Sequence, residues 1–224
     1  MYKKLLTLCF VGLMALSATV YANPKSDIKK SKACVEQARK FYKKSDLVNT
    51  EKKLKEAIQL DDKNDEAYFE LGNLELFGKV FDEALVYYTK AISINPKNDM
   101  YYLSRGTAKM LLPDLTAIED FNKSIELNPK NELAYFCLGK IYCNFGYFEE
   151  SLEYLNKSIQ YSNGKDENMY IFRAGIKMAL KDYNGAISDY KKALTIIKKQ
   201  KDEQYIDFLS KKIKLLEQAS EVFK

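Results

Sequence analysis

The chain writes nearly the same phrase three times. "IQLDDKND" runs from Ile58 to Asp65, "ISINPKND" from Ile92 to Asp99, and "IELNPKNE" from Ile125 to Glu132, at intervals of 34 and then 33 residues. Self-similarity at a period of roughly 20–50 residues means stacked copies of one supersecondary unit, so this feature constrains the fold more than any other. Aligning the chain on the phrase brings further columns into register. Small residues recur at Thr50, Ala84, Ala117, Ser151 and Ala186, and again seven residues later at Ala57, Ala91, Ser124, Ser158 and Ala193. Bulky Leu54, Tyr88, Phe121, Leu155 and Tyr190 stand between them. Upstream, Tyr68, Tyr102, Tyr135 and Tyr170 form another column, and Gly72, Gly106 and Gly139 follow the first three by four residues.

Positions four and seven apart share a helical face, so each repeat reads as two amphipathic helices. The Gly of the first helix and the Ala or Ser of the second let the pair cross closely. Pro96 and Pro129 stop the second helix, because proline cannot continue the hydrogen-bond ladder. Asp99 is then expected to cap the helix that follows. The predicted fold is all-α, a solenoid of about five helical hairpins.

These columns resemble the tetratricopeptide repeat (TPR) family. The strongest copy, residues 65–98, has Tyr68, Leu71-Gly72, Ala84, Tyr88, Ala91 and Pro96 where the family has its signature residues. Residues 99–131, 132–165 and 167–200 follow it, the last with Ala174 in the Gly position. Residues 31–64 are a fainter copy, with Cys34, Ala38 and Asp62 replacing the aromatic, the Gly and the Pro. The resemblance implies a right-handed superhelix whose concave face is lined by first helices. The groove positions it implies are Phe69, Asn73, Leu76 and Phe77, then Met100, Leu103, Thr107 and Met110. Next come Phe136, Lys140, Cys143 and Asn144, and finally Ile171, Gly175 and Met178. The spacing 69, 73, 76 is itself a helical stripe. Val35, Phe69, Leu103, Phe136 and Ile171 occupy a column where TPR co-chaperones that grip an acidic C-terminus need a lysine, so an apolar segment suits this groove better. The alternative is that superhelical winding, or the chain's own last helix, covers the stripe.

Departures from the repeat are expected to matter. Repeat 99–131 lacks one residue in its inter-helix turn, where Pro113-Asp114 suits a helix start. Repeat 132–165 ends "QYSNGKDEN" without a proline. Residues 201–224 place Ile206, Leu209, Ile213, Leu216, Ser220 and Phe223 on one face and Lys211, Lys212 and Lys214 on another, as a solenoid's capping helix requires.

The N-terminus, "MYKKLLTLCFVGLMALSATVYAN", has two lysines, an uncharged run and a small-residue end. It reads as a signal peptide over 1–22, cut between Ala22 and Asn23, followed by a linker over 23–30. The competing reading is a retained anchor. Leu5–Ala22 is 18 residues, diluted by Thr7, Ser17 and Thr19, which is marginal for spanning ~30 Å. Cys9 lies too early in the run for a lipoprotein signal. A short Lys-Lys signal leading into a Lys-, Asn- and Tyr-rich chain reads as bacterial, which points to the periplasm or cell envelope.

Export raises the question of disulfides for Cys34, Cys137 and Cys143. Cys137 and Cys143 share a helix with a rise of ~9 Å between them, beyond the ~7 Å a bridge tolerates. Small buried thiols are expected instead. Without Lys3 and Lys4, 34 basic residues face 31 acidic ones, a balance that argues against a nucleic-acid partner. The chain has no histidine, which removes Ser-His-Asp and Cys-His catalysis and the commonest zinc ligand. No glycine loop suited to phosphate occurs. The sequence therefore reads as an exported, non-catalytic scaffold or assembly factor that binds a protein or peptide, with no cofactor. A secreted factor acting on another cell and a regulatory subunit of an envelope enzyme are the alternatives.

Overall fold

A computed structural model describes residues 24–222 apart from 113. The expected signal segment and its expected cleavage site at Ala22–Asn23 lie outside the described residues, as does Phe223. Among the described residues there are eleven α-helices and no strand. They are α1 (Pro24–Tyr42), α2 (Leu47–Leu60), α3 (Asp65–Phe77), α4 (Phe81–Ile94), α5 (Asp99–Leu111) and α6 (Ala117–Leu127), then α7 (Glu132–Asn144), α8 (Phe148–Tyr161), α9 (Glu167–Ala179), α10 (Tyr183–Gln200) and α11 (Glu203–Val222). Of the expected linker over 23–30, residues 24–30 belong to the first turns of α1. Pro24 opens that helix, where its missing N–H costs nothing.

The chain divides into two compact units, one ending at Leu74 and the other beginning at Glu75. In the first, α1 packs on α2. Val35 and Ala38 are buried on α1, and Thr50, Leu54 and Ala57 on α2. Buried polar groups tie the hairpin to the start of α3. Ser31 Oγ donates to the Ala57 carbonyl (2.7 Å) and accepts from Asn64 Nδ2 (2.7 Å), while Asn64 Oδ1 caps α3 through the Ala67 N–H (3.0 Å). Each of these buried groups is satisfied, which removes the penalty for taking it out of water.

In the second unit, α5 pairs with α6, α7 with α8 and α9 with α10, and each hairpin packs on the next. All eight small-column residues of this unit and its bulky column of Tyr88, Phe121, Leu155 and Tyr190 are buried. Burying each large side chain stabilises the fold by about 1.5–3 kcal/mol. The glycine positions mark the close crossings. A Cβ on Gly106 would lie 2.9 Å from the Phe121 ring, and one on Gly139 2.9 Å from Leu155 Cγ. At the C-terminus Leu209, Ile213 and Leu216 of α11 are buried with Tyr190 and Ile197 of α10, so α11 caps the last hairpin.

The two kinds of turn are built differently. Within repeats, Ser45, Lys79, Gly146 and Lys181 adopt positive φ. Around them the chain closes with paired bonds such as Lys79 N–H to Leu76 O and Val80 N–H to Glu75 O. This is a Schellman-type helix end. Repeat 99–131 keeps only part of it, with Asp114 N–H and Leu112 N–H both donating to Lys109 O. Pro113-Asp114 does not start the second helix as expected. Asp114 instead accepts from Thr116 N–H and Oγ1, a tight turn carries the chain forward, and α6 begins only at Ala117.

Between repeats, the phrase "NPKN" has a division of labour. Asn95 and Asn128 accept from the N–H of Lys97 and Lys130, folding the turn on themselves. The next helix is capped by Asn98 or Asn131, not by the acid that follows. Asp99 is therefore not the cap. Its carboxylate accepts from Asn128 and Asn131 Nδ2 (3.0 Å each), which joins successive inter-repeat turns.

Candidate partner-binding surface

The implied groove residues fall into two classes. In the first unit Phe69 and Asn73 are half-buried, and Asn73 Nδ2 donates to Glu70 Oε2 (3.3 Å). Beside them, α1, α2 and α3 enclose a cavity of about 470 Å³ lined by Ala38, Leu54, Leu74, Arg39, Glu70 and Asn73, among others. Arg39 holds one wall in place, donating to Glu36 (2.6 Å), Glu66 (3.1 Å) and Glu70 (2.8 Å). Partial burial works against its charge. Hydrogen bonds to Glu70 and Glu36 overcome that and raise the guanidinium pKa. The sequence reading missed this cavity, although Val35 in the same column proves to be fully buried.

In the second unit Phe77 and Met100 are exposed, at 62% and 42%, and Leu76 is half-buried. Leu103, at 5%, belongs to the core around Phe121 and Leu138 and offers a partner nothing. Its position on the first helix matches Phe136, but here the side chain turns inward. Thr107 Oγ1 donates back to the Leu103 carbonyl, while Met110 packs against the same core. Phe136 is half-buried, meets Phe172 edge-on with centroids 5.7 Å apart, and carries Lys140 Nζ 5.9 Å from its centroid. Ile171 and Met178 are half-buried against the last core, and Met178 Sδ accepts from Tyr190 OH (3.5 Å). Asn144 and Gly175 are exposed.

Cys143 is half-buried and burial raises its thiol pKa. Cys137 is shielded more deeply, and burial, partly offset by Lys140 and Thr107, pushes it up to about 11. Both thiols and the buried Cys34 are free, as the spacing implied, and their raised pKa values make them poor nucleophiles at neutral pH. Among the described residues no group of His, Cys, Asp and Glu is arranged to hold a metal ion, and no helix is long and apolar enough to cross a membrane.

One recurring cluster escaped the sequence reading. Asp120 is buried, receives Arg105 through Nε (2.9 Å) and Nη2 (2.6 Å), and lies 2.9 Å from Lys109 Nζ. Asp189 holds Arg173 and Lys177 in the same way, at 2.8, 2.6 and 2.9 Å. Each arginine also reaches back to the preceding repeat, Arg105 to Thr89 (3.2 Å) and Arg173 to Asn156 (2.6 Å). The signal was present as an arginine immediately before the Gly/Ala column with a lysine four residues on, at Arg105/Lys109 and Arg173/Lys177, 68 residues apart. Each cluster joins the two helices of its own hairpin, and its arginine links that hairpin to the preceding repeat.

Comparison with known proteins agrees with this architecture. Tetratricopeptide-repeat family models match residues 65–98, 121–166 and 167–200. No curated protein sequence matches the chain. Similar solved structures include PilF of Pseudomonas aeruginosa (TM-score 0.70, 14% identity, 89% of this chain and 100% of that one). Another is PilW, described as a widely conserved type IV pilus biogenesis factor (0.68, 20%, 75% and 78%). A third is YrrB, a TPR protein with an unusual peptide-binding site (0.60, 19%, 84% and 98%). The three matched segments together span just over half of the 224 residues, and with the hairpin geometry they make this chain a member of the tetratricopeptide-repeat family.

Proposed function

We propose that this protein is an exported, non-catalytic scaffold or assembly factor of the cell envelope that holds a protein or peptide through the faces of its first helices. The observation that carries this is the division between the two helix types. The second helices of the second unit bury their entire small and bulky columns. The first helices keep apolar side chains within reach of solvent at Phe77, Met100 and Phe136. Apolar surface that the fold does not bury marks a contact site. In the first unit, the cavity beside Asn73 is large enough to take one aliphatic or aromatic side chain of a partner. Structural similarity to a peptide-binding TPR protein and to a pilus biogenesis factor supports this class of role, and the N-terminal sequence supports export. The usable set is Phe69, Asn73, Leu76, Phe77, Met100, Phe136, Lys140, Cys143, Ile171 and Met178. Leu103 is excluded by its burial, and Met110 contributes only through its partly exposed edge.

The test is affinity capture after in-cell crosslinking, with a Phe69→Glu/Phe136→Glu variant checked for helicity by circular dichroism. A protein captured by the native chain and lost from the folded variant is the expected result. Equal capture by both would place the binding surface elsewhere.

A further inference from the structure

The first helix sets one end of the chain apart in charge. Residues 24–44 hold eight basic and two acidic side chains, a net +6, whereas residues 45–224 hold 26 and 29, a net −3. On α1, Lys25, Lys29, Lys32 and Lys40 fall within one arc of the helix, all four exposed, and the one acid in that arc, Glu36, is paired with Arg39. The buried face, with Ser31, Cys34, Val35 and Ala38, points the opposite way. Two other cations of this segment are neutralised internally. Lys30 pairs with Asp27, and Arg39 with Glu36, Glu66 and Glu70. The four stripe lysines join no ion pair among the described residues. Ile28, 43% exposed, lies at the edge of the stripe.

We propose that this face docks on the surface of an anionic phospholipid bilayer. Two observations choose that occupant. The charge is complementary and greatest on this helix, net +4 against +3 on α10, while residues 45–224 taken together are net negative and would be repelled by an extended polyanion such as nucleic acid. Position is the second. Leu5–Ala22 is an uncharged run of 18 residues, of the kind that enters a membrane during export or stays there, and Lys25 follows it by three residues. Lysines beside a membrane-entering segment lie at headgroup level, where anionic lipid attracts them over about a Debye length. Docking there would hold the chain at the membrane. It does not depend on the partner-binding reading, so the Phe69→Glu/Phe136→Glu variant should bind vesicles normally.

The experiment uses the full chain, recovered in the form the cells make and with its N-terminus fixed by mass spectrometry. Co-sedimentation is measured with vesicles of phosphatidylethanolamine and phosphatidylglycerol, and with neutral phosphatidylcholine vesicles, at about 50 mM salt. Binding to the anionic vesicles should be at least tenfold stronger than to neutral ones, and should fall about a hundredfold in Lys25→Gln/Lys29→Gln/Lys32→Gln/Lys40→Gln. It should also fall for the native protein when salt is raised about tenfold, a readout that needs no variant. Lys198→Gln/Lys199→Gln/Lys211→Gln/Lys214→Gln, with the same net charge, should bind as the native chain does. Equal partition onto both vesicle types, equal losses in the two quadruple variants, or tighter retention by a DNA or RNA oligomer than by vesicles would overturn the proposal.

Discussion

Repeats 99–131 and 167–200 fill the space between their two helices with charge, and repeat 132–165 fills the same space with rings. Where the first two place Arg105, Lys109 and Asp120, or Arg173, Lys177 and Asp189, the third has Leu138, Tyr142 and Tyr154. Tyr142 and Tyr154 stack with centroids 5.0 Å apart, and Tyr135 lies 6.5 Å from Tyr154. In both kinds of repeat the glycine of the first helix lies directly against the bulky column, Gly106 on Phe121 and Gly139 on Leu155. The cluster that fills the rest is interchangeable in shape but not in chemistry. An aspartate there is held only by its two cations, and stacked tyrosines need no partner beyond each other.

The comparison can be broken most sharply at the aspartates. Asp189→Ala leaves Arg173 and Lys177, both mostly buried, without their counter-charge. Urea unfolding should show a loss of about 3–5 kcal/mol, and Asp120→Ala should match it. A smaller effect distinguishes the ring-filled repeat by pH. The Cys137 thiol lies at about 11 when folded against 9.0 when free. The folded state therefore keeps its proton while the unfolded chain loses it, and stability falls as pH rises from about 9 to about 11. The fall should be about 2–3 kcal/mol larger in the native chain than in Cys137→Ala. Gly139→Ala drives a methyl into Leu155 and should cost about 1–3 kcal/mol. Gly175→Ala meets nothing within 4 Å and should be neutral or stabilise by up to about 1 kcal/mol. Smallest of all should be the transplant Arg105→Leu/Lys109→Tyr/Asp120→Tyr. Replacing the whole ion cluster by the ring-filled set should stay within about 1 kcal/mol of native, although removing one member does not. A loss as large as that of Asp120→Ala would show that the two fillings are not equivalent.

Much of the fold was legible because burial in a repeat is periodic. Every residue placed in the small and bulky columns is buried, and Leu209, Ile213 and Leu216 close the array as their spacing implied. What escaped was decided by local geometry. Asp99 is a reasonable cap by residue type, but Asn98 sits where the helix N–H groups point, and Asp99 is drawn to the next turn. Pro113 suggests a helix start, yet the shortened turn delays α6 to Ala117. The exposure of the expected groove residues was only half legible for a related reason. A column identifies which side of a helix a residue occupies, not how deeply the neighbouring hairpin covers it. Leu103 and Phe136 are equivalent in the repeat, and only the second keeps contact with solvent. The paired Asp120 and Asp189 clusters were written in the sequence at a period of two repeats, which a search at one repeat does not reveal.

The proposed meeting point for partners is the set of first-helix faces. Its most direct measurement is site-specific photocrosslinking in intact cells, with the reactive side chain placed at Met100 or Phe136 on first helices and at Val86, 67% exposed on the second helix α4. Adducts of one discrete mass at Met100 and Phe136, and none at Val86, are the predicted result. Adducts at Val86 alone would contradict the account and move the binding surface to the second helices.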